Sequence, residues 1–241
     1  MQIIPAINCE NFECVKEKLQ KVAEFFSDLP AGALQSGAKE GWAQIDIADG
    51  KFTPHKTWNN PKDLSNIKDQ LSNINLEIHL MLENPLDAID DWIKAEAKRI
   101  IVHYEAICEE AARNEDNDET DIINFLLEKC SNQGVELGLA INPDTSVDKI
   151  ILHLDRVRFI QILAVNPGLA GQQFQAITLQ KIKFLKELND DYSNVIIEVD
   201  GGINLEIAKM CKEAGADILI SSSYIWGSEN PKSVYKELVD L

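Results

Sequence analysis

The sequence predicts a closed parallel (β/α)8 TIM barrel, and three observations predict it. Short apolar runs alternate with longer amphipathic segments along the whole chain. Eight such units follow one another with no break in composition. The chain has 241 residues, close to the roughly 250 typical of such barrels. An open doubly wound sheet is the alternative architecture. It would carry a glycine-rich turn after its first strand, and Pro5-Ala6-Ile7-Asn8-Cys9 is not one. The reading therefore makes residues 1–241 one barrel domain.

Taken in order, the expected strands are Gln2–Ile7, Ala43–Ile47, Leu76–Leu80, Ile100–His103, Glu136–Ile141, Arg158–Leu163, Val195–Val199 and Asp217–Ile220. Each is rich in Ile, Val or Leu and lacks the polar alternation of a half-exposed sheet, as strands covered on both faces do. Between them, Asn11–Phe26, Pro85–Ala95, Ile122–Ser131, Leu179–Leu188 and Leu205–Ala214 have helical amphipathicity. Pro85 after Asn84 marks a helix start, and Gly134 and Gly215 mark two helix ends. The acidic stretch Glu109–Asp121 is longer than a usual βα loop. It reads as a solvated surface helix or loop, with a lid over the barrel mouth as the functional alternative.

Hydrophobic residues make up 45% and charged residues 26%, as in an ordinary globular protein. No run approaches the roughly 20 apolar residues of a membrane span. Met-Gln-Ile-Ile-Pro at the N-terminus has neither a basic region nor an apolar core of a secretion signal. The net charge of −17 disfavours nucleic acid and anionic membranes as partners, since both are bound mainly by Lys and Arg. It also requires that any anionic substrate be met by a locally favourable site. The five cysteines (Cys9, Cys14, Cys108, Cys130 and Cys211) are scattered, odd in number and contain no C-x-x-C pair. That argues against a disulfide framework and for a reducing cytoplasm. Cys9, near a strand end, is a candidate to line a pocket, and the others read as small buried hydrophobes.

Chemistry in such a barrel sits at the C-terminal ends of the strands. Asp46, His79 and Asp200 fall at the ends of three different strands, where charge is costly unless used or paired. Two carboxylates and an imidazole converging on the barrel axis form a plausible divalent-metal site. Placed on opposite faces of a sugar, the same carboxylates could remove a proton from one face and return it to the other. A metal would meanwhile polarise the neighbouring carbonyl. Gly-rich turns after the sixth and seventh strands, with Ser222 and Ser223 after the eighth, suit phosphate held by backbone N–H groups. Such a site needs neither Arg nor Lys.

Asp46-x-x-Asp49-Gly50-x-Phe52-x-Pro54, His79-Leu80-Met81, Asn166-Pro167-Gly168 through Gly171-Gln172, and Glu198-Val199-Asp200-Gly201-Gly202-Ile203-Asn204 resemble the signatures of the ribulose-phosphate 3-epimerase family. The similarity runs from Ile4-Pro5 to Gly227. It implies a barrel of the ribulose-phosphate-binding type and an isomerase of carbohydrate metabolism, in the pentose phosphate pathway. D-ribulose 5-phosphate and D-xylulose 5-phosphate would be its ketose phosphate pair, interconverted through an enediolate. It assigns Asp46 and Asp200 as acid/base residues and metal ligands, and His79 as a further ligand. Gly168, Gly171, Gly201, Gly202, Ser222, Ser223 and Met81 would surround substrate and phosphate. The cofactor would be a divalent metal: Zn, Fe, Mn or Co.

The chain also departs from that pattern. Gln44 stands where the family has a metal-binding His; its carbonyl oxygen is a neutral, weaker ligand that would favour harder ions. Ala6 replaces a Ser, Ala48 and Leu163 each replace a Met, and Ser222 replaces a Gly. Two other readings stay open. One is a related barrel acting on another ketose phosphate or by lyase or decarboxylase chemistry, against which the absence of Lys near Asp46 counts. The other is a non-catalytic paralogue that binds a phosphosugar or a protein. His103 reads equally as a core histidine or a site residue, His153 as part of a helix, and His55 as a solvent-facing loop residue able to supply the missing imidazole. Trp58 is a candidate pocket cover or a contact between copies in a homo-oligomer.

Overall fold

The computed structural model describes residues 1–27, 41–113, 116–188 and 195–241. Eight strands form a closed barrel in sequence order: β1 (Gln2–Ile7), β2 (Gly41–Ala48), β3 (Ile74–Met81), β4 (Arg99–His103), β5 (Glu136–Ile141), β6 (Phe159–Leu163), β7 (Ile196–Asp200) and β8 (Ile218–Ser221). Every neighbouring pair is parallel, and β8 pairs back onto β1. Closure excludes the open doubly wound sheet. It leaves no exposed sheet edge, and the apolar character of the strands follows, because each is covered inside and out.

Around the barrel lie α1 (Phe12–Ser27), α2 (Pro85–Lys94), α3 (Tyr104–Arg113), α4 (Glu119–Ser131), α5 (Ile177–Leu188), α6 (Leu205–Ala214), α7 (Ser223–Trp226) and α8 (Pro231–Val239). Two 3-10 helices, Pro61–Leu71 and Val147–His153, take the crossover positions before β3 and β6. Pro85 occupies the first turn of α2 behind Asn84, and Gly215 ends α6 with φ 107°. One large apolar cluster lies between the sheet and its helices. A second fills the barrel interior, with Ile4, Ile101, Phe159, Leu163 and Ile220 among its members.

The acidic stretch resolves into the end of α3 and the start of α4, where Asp118 and Asp121 cap each other's backbone reciprocally. Asn114 and Glu115 lie outside the described residues. The surface-helix reading holds for the rest. Cysteine pairing differs from expectation: Cys9 and Cys14 are joined in a disulfide that closes the turn from β1 into α1. The five-residue separation carried no pairing signal because only the turn between strand and helix brings the two together. Cys130 and Cys211 are buried and free, as expected, and Cys108 is half-buried. Trp58 is also a core residue. It packs on Phe12 and Trp92 and donates its indole N–H to Asp63, and it does not line the cleft at the barrel mouth.

Candidate active site

Strand alternation decides which side chains enter the barrel, and register decides which of them meet. Asp46 on β2 pairs directly with His79 on β3, and Asp200 ends β7. One donor atom from each of Asp46, His79 and Asp200 lies within 4.8 Å of the other two. His79 Nδ1 sits 3.4 Å from Asp46 Oδ1 and 3.6 Å from Asp200 Oδ2.

The orientation of His79 is set from behind. His103 on β4 places its Nε2 2.9 Å from His79 Nε2, with the rings stacked, and its Nδ1 3.2 Å from Glu105 Oε2. Burial alone would raise the Glu105 carboxyl. Hydrogen bonds from His103, Thr145 and the Asn142 backbone outweigh it and hold the group below the usual carboxylate range. Burial holds His103 low and therefore neutral. An ionised Glu105 accepts a hydrogen bond from His103 Nδ1–H, so His103 Nε2 is an acceptor and His79 Nε2 carries the proton between the rings. A neutral His79 then points the lone pair of Nδ1 at two carboxylates.

That Nδ1 is buried and has no hydrogen-bond partner. A lone pair facing two carboxylates is satisfied by a cation or a proton. Burial alone would lower the His79 pKa, but Asp46 and Asp200 raise it. The three residues thus fit a divalent ion, with two carboxylate oxygens and one imidazole nitrogen as donors.

Gln44 presents its amide nitrogen to this group. Its Nε2, not its oxygen, faces the site, 2.8 Å from Asp46 Oδ1 and 2.9 Å from Asp200 Oδ2. Its oxygen is occupied by Gln161 Nε2 at 2.8 Å. The carbonyl expected as a ligand is thus turned toward Gln161, a polar residue in the middle of an apolar strand. Asn8 adds a second amide donor to Asp46, 3.2 Å from Oδ2, and also donates to the Gly168 carbonyl. Burial first, then the charge of Asp46, raise the Asp200 carboxyl to about 7. Two buried carboxylates this close do not both ionise readily.

An open cleft above this group is lined by Asp46, His79, Met81, Asp200, Gly168, Gly171, Gly201, Gly202, Ser222 and Ser223. Every site residue expected from the sequence lies there except Gln44, which is fully buried beneath it. Among the described residues, no Lys or Arg lines the cleft. Gly202, at φ 68°, lies against the turn before α5: a side chain there would come within 2.7 Å of the Phe174 backbone nitrogen. His55 is half-exposed and does not line the cleft, and His153 is buried in its 3-10 helix. None of the described residues of the acidic stretch lines it either.

Sequence reasoning missed Asn8, Gln161 and the part played by Glu105. Asn8 directly follows β1, where the strand-end rule would have found it. Gln161 announced itself as the lone polar side chain in Phe159–Leu163. Glu105 lies two residues past the end of β4, so the same strand-end rule places it at that end of the barrel, but its contact with His103 left no mark in the sequence.

The family model described as the Ribulose-phosphate 3 epimerase family matches residues 30–226. The ribulose-phosphate 3-epimerase of Chlamydia trachomatis is 32% identical over 231 residues, covering 95% of this chain and 87% of that protein. The Bacillus subtilis ribulose-phosphate 3-epimerase is 33% identical over 196 residues, covering 80% and 83%. Among solved structures, a 3-hexulose-6-phosphate synthase superposes with a TM-score of 0.57 at 13% identity, covering 100% and 99% of the two chains. Orotidine 5'-phosphate decarboxylase from Pyrococcus horikoshii gives 0.57 at 14% identity, covering 99% and 98%. Likeness at those identities shows the barrel alone. With the matched model and these relatives, the chain belongs to the ribulose-phosphate 3-epimerase family, a family of isomerases.

Proposed function

We propose that this protein is a metal-dependent epimerase that interconverts D-ribulose 5-phosphate and D-xylulose 5-phosphate by proton transfer between two aspartates. The observation that carries the reading is the Asp46/Asp200 pair, whose carboxylate oxygens lie 3.4 and 3.6 Å from the same His79 nitrogen in a cleft also lined by Gly202, Ser222 and Ser223. The serines and the backbone N–H groups of the Gly-rich turns suit the phosphate, which fixes the sugar's orientation. One aspartate removes the proton on the carbon next to the keto group from one face, giving an enediolate. The other, protonated, returns a proton to the opposite face and inverts the centre. With Asp200 raised to about 7, the pair can hold one shared proton near neutrality, as this exchange requires. A divalent ion held by Asp46, His79 and Asp200 would supply Lewis-acid polarisation of the keto group.

The test is deuterium exchange. Protein reconstituted with Fe, Mn, Co or Zn, given D-ribulose 5-phosphate in heavy water, should incorporate deuterium at that carbon and form xylulose 5-phosphate. Asp46→Asn and Asp200→Asn should each lower the rate by roughly 10³-fold or more. No exchange with any of the four metals, from folded protein, overturns the reading. The inward amide of Gln44 favours a second reading, a phosphosugar-binding protein without turnover. Ribulose 5-phosphate binding in the absence of exchange would establish it.

A further inference from the structure

Below the catalytic floor, the barrel interior carries a chain of amides. Gln161 Nε2 lies 2.8 Å from Gln44 Oε1 and 2.9 Å from Glu198 Oε1. Gln44 Nε2 lies 2.8 Å from Asp46 Oδ1 and 2.9 Å from Asp200 Oδ2. Gln44, Gln161 and Glu198 are all 0% exposed. An amide NH2 has two hydrogens. The four hydrogens of the two side chains therefore have four oxygens, one each.

This count fixes the direction of Gln44. Turning its amide alone would set its carbonyl against two carboxylates and its NH2 against the NH2 of Gln161. It would lose three hydrogen bonds in a water-free interior, where each unmade bond is expensive. Turning both amides restores only the bond between the two glutamines: the Gln44 carbonyl would still face the two carboxylates, and the Gln161 carbonyl would now face Glu198. With an ion on the two carboxylates the repulsion at that end would be lifted, and Gln161 would be the group that still holds the Gln44 carbonyl away from the site.

We propose that Gln161 is a positioning residue for the active site. By holding the Gln44 carbonyl, it makes Gln44 a donor clamp across Asp46 and Asp200 and keeps it out of the coordination shell of an ion bound by Asp46, His79 and Asp200. The metal site of this chain is then three-coordinate in protein ligands, and its two carboxylates are held apart by an amide even without an ion. The proposal rests on the assignment of Asp46 and Asp200 as the proton-transfer pair. Its test reads amide orientation and metal affinity, not turnover, so it can fail while that assignment stands, and the reverse.

The experiment uses metal-free protein with ¹⁵N-labelled glutamine side chains, Zn²⁺ as the probe, and the variants Gln161→Met and Gln44→Met. The second variant assigns the Gln44 NH2 signal by its loss. In the wild type, both Gln44 protons should be shifted downfield and protected from exchange, and should remain so when Zn²⁺ saturates the site. Gln161→Met keeps the length of the side chain and removes the amide, so Gln44 is free to turn its oxygen inward. Zn²⁺ affinity by calorimetric titration should then tighten at least fivefold. Unchanged or weaker Zn²⁺ binding by folded Gln161→Met overturns the proposal. So does a wild-type Gln44 NH2 signal that moves to the unbonded position on adding Zn²⁺. If Gln161→Met does not fold, the wild-type spectra decide alone.

Discussion

His79 shows how a single ring nitrogen is prepared from three residues away. Its Nδ1 can face the aspartates with a lone pair only because His103 accepts from its Nε2, and His103 accepts only because Glu105 accepts a hydrogen bond from its Nδ1–H. Glu105→Gln should disturb that tautomer while leaving the side chain in place. The expected result is a loss of divalent-metal affinity of about 10- to 100-fold by titration, with Asp46 and Asp200 untouched. The same carboxylate sets a pH dependence. Its folded pKa is depressed, so its contribution to stability is complete above its unfolded value of about 4.3 and is lost as pH falls through the folded value. Thermal unfolding of wild type should therefore steepen its decline below about pH 4.5, and Glu105→Gln should flatten that part of the profile. An identical acid limb in both proteins would remove Glu105 from the account. At this scale the sequence was informative wherever a residue type ends a strand, as with Asp46, His79 and Asp200. It was silent on Gln44, whose amide direction depends on Gln161 more than a hundred positions away.

At the scale of elements, the end of the cleft proposed to hold phosphate is built on two turns whose glycines are not equivalent. Gly171 has φ 83° with nothing within 4 Å of an added side chain, whereas Gly202 has φ 68° with the Phe174 backbone in the way. Alanine at Gly171 should cost only the left-handed backbone penalty, about 1 kcal/mol. Gly202→Ala adds a backbone collision and must push the turn before α5 away from the one after β7. That separates the two walls of the cleft above the aspartates. KM for the phosphorylated ketose should rise about tenfold or more in Gly202→Ala and change little in Gly171→Ala. Similar KM values for both would show that the two turns do not cradle the phosphate. The strands and most helices were legible because burial on both faces leaves an unmistakable apolar signature, as in Glu136–Ile141. The 3-10 helix Pro61–Leu71 was not, and of Val147–His153 only His153 was read as helical, since buried Leu64 and Ile67, and Val147, Ile150 and His153, recur every third residue and not at the 3.6-residue period. The β1–α1 disulfide was illegible for a related reason: only the folded turn brings Cys9 to Cys14.

Across the whole molecule, the two ends of the barrel divide function from stability. The end away from the cleft is plugged by Arg99, which opens β4 and is 5% exposed. Its guanidinium pairs with Glu77 and Glu136, and it lies between the rings of Trp42 and Phe159, 4.3 and 3.7 Å from their centroids. Burial alone would lower the Arg99 pKa, and the surrounding glutamates raise it. Burial pushes Glu77 and Glu198 upward, so the cation is what makes this acidic interior tolerable. Arg99→Met removes the charge and leaves Glu77 without a partner in a dry site. Unfolding by denaturant should show a loss of about 3–5 kcal/mol. Arg99→Met combined with Glu77→Gln should recover part of it, because Glu77 then no longer carries an unpaired buried charge. The folded fraction of each variant should keep near-normal epimerisation at low temperature, since β4 contributes to the cleft's chemistry only from its far end, through His103. A fall in turnover that tracked the stability loss in fully folded protein would mean that the plug and the catalytic floor are energetically one unit.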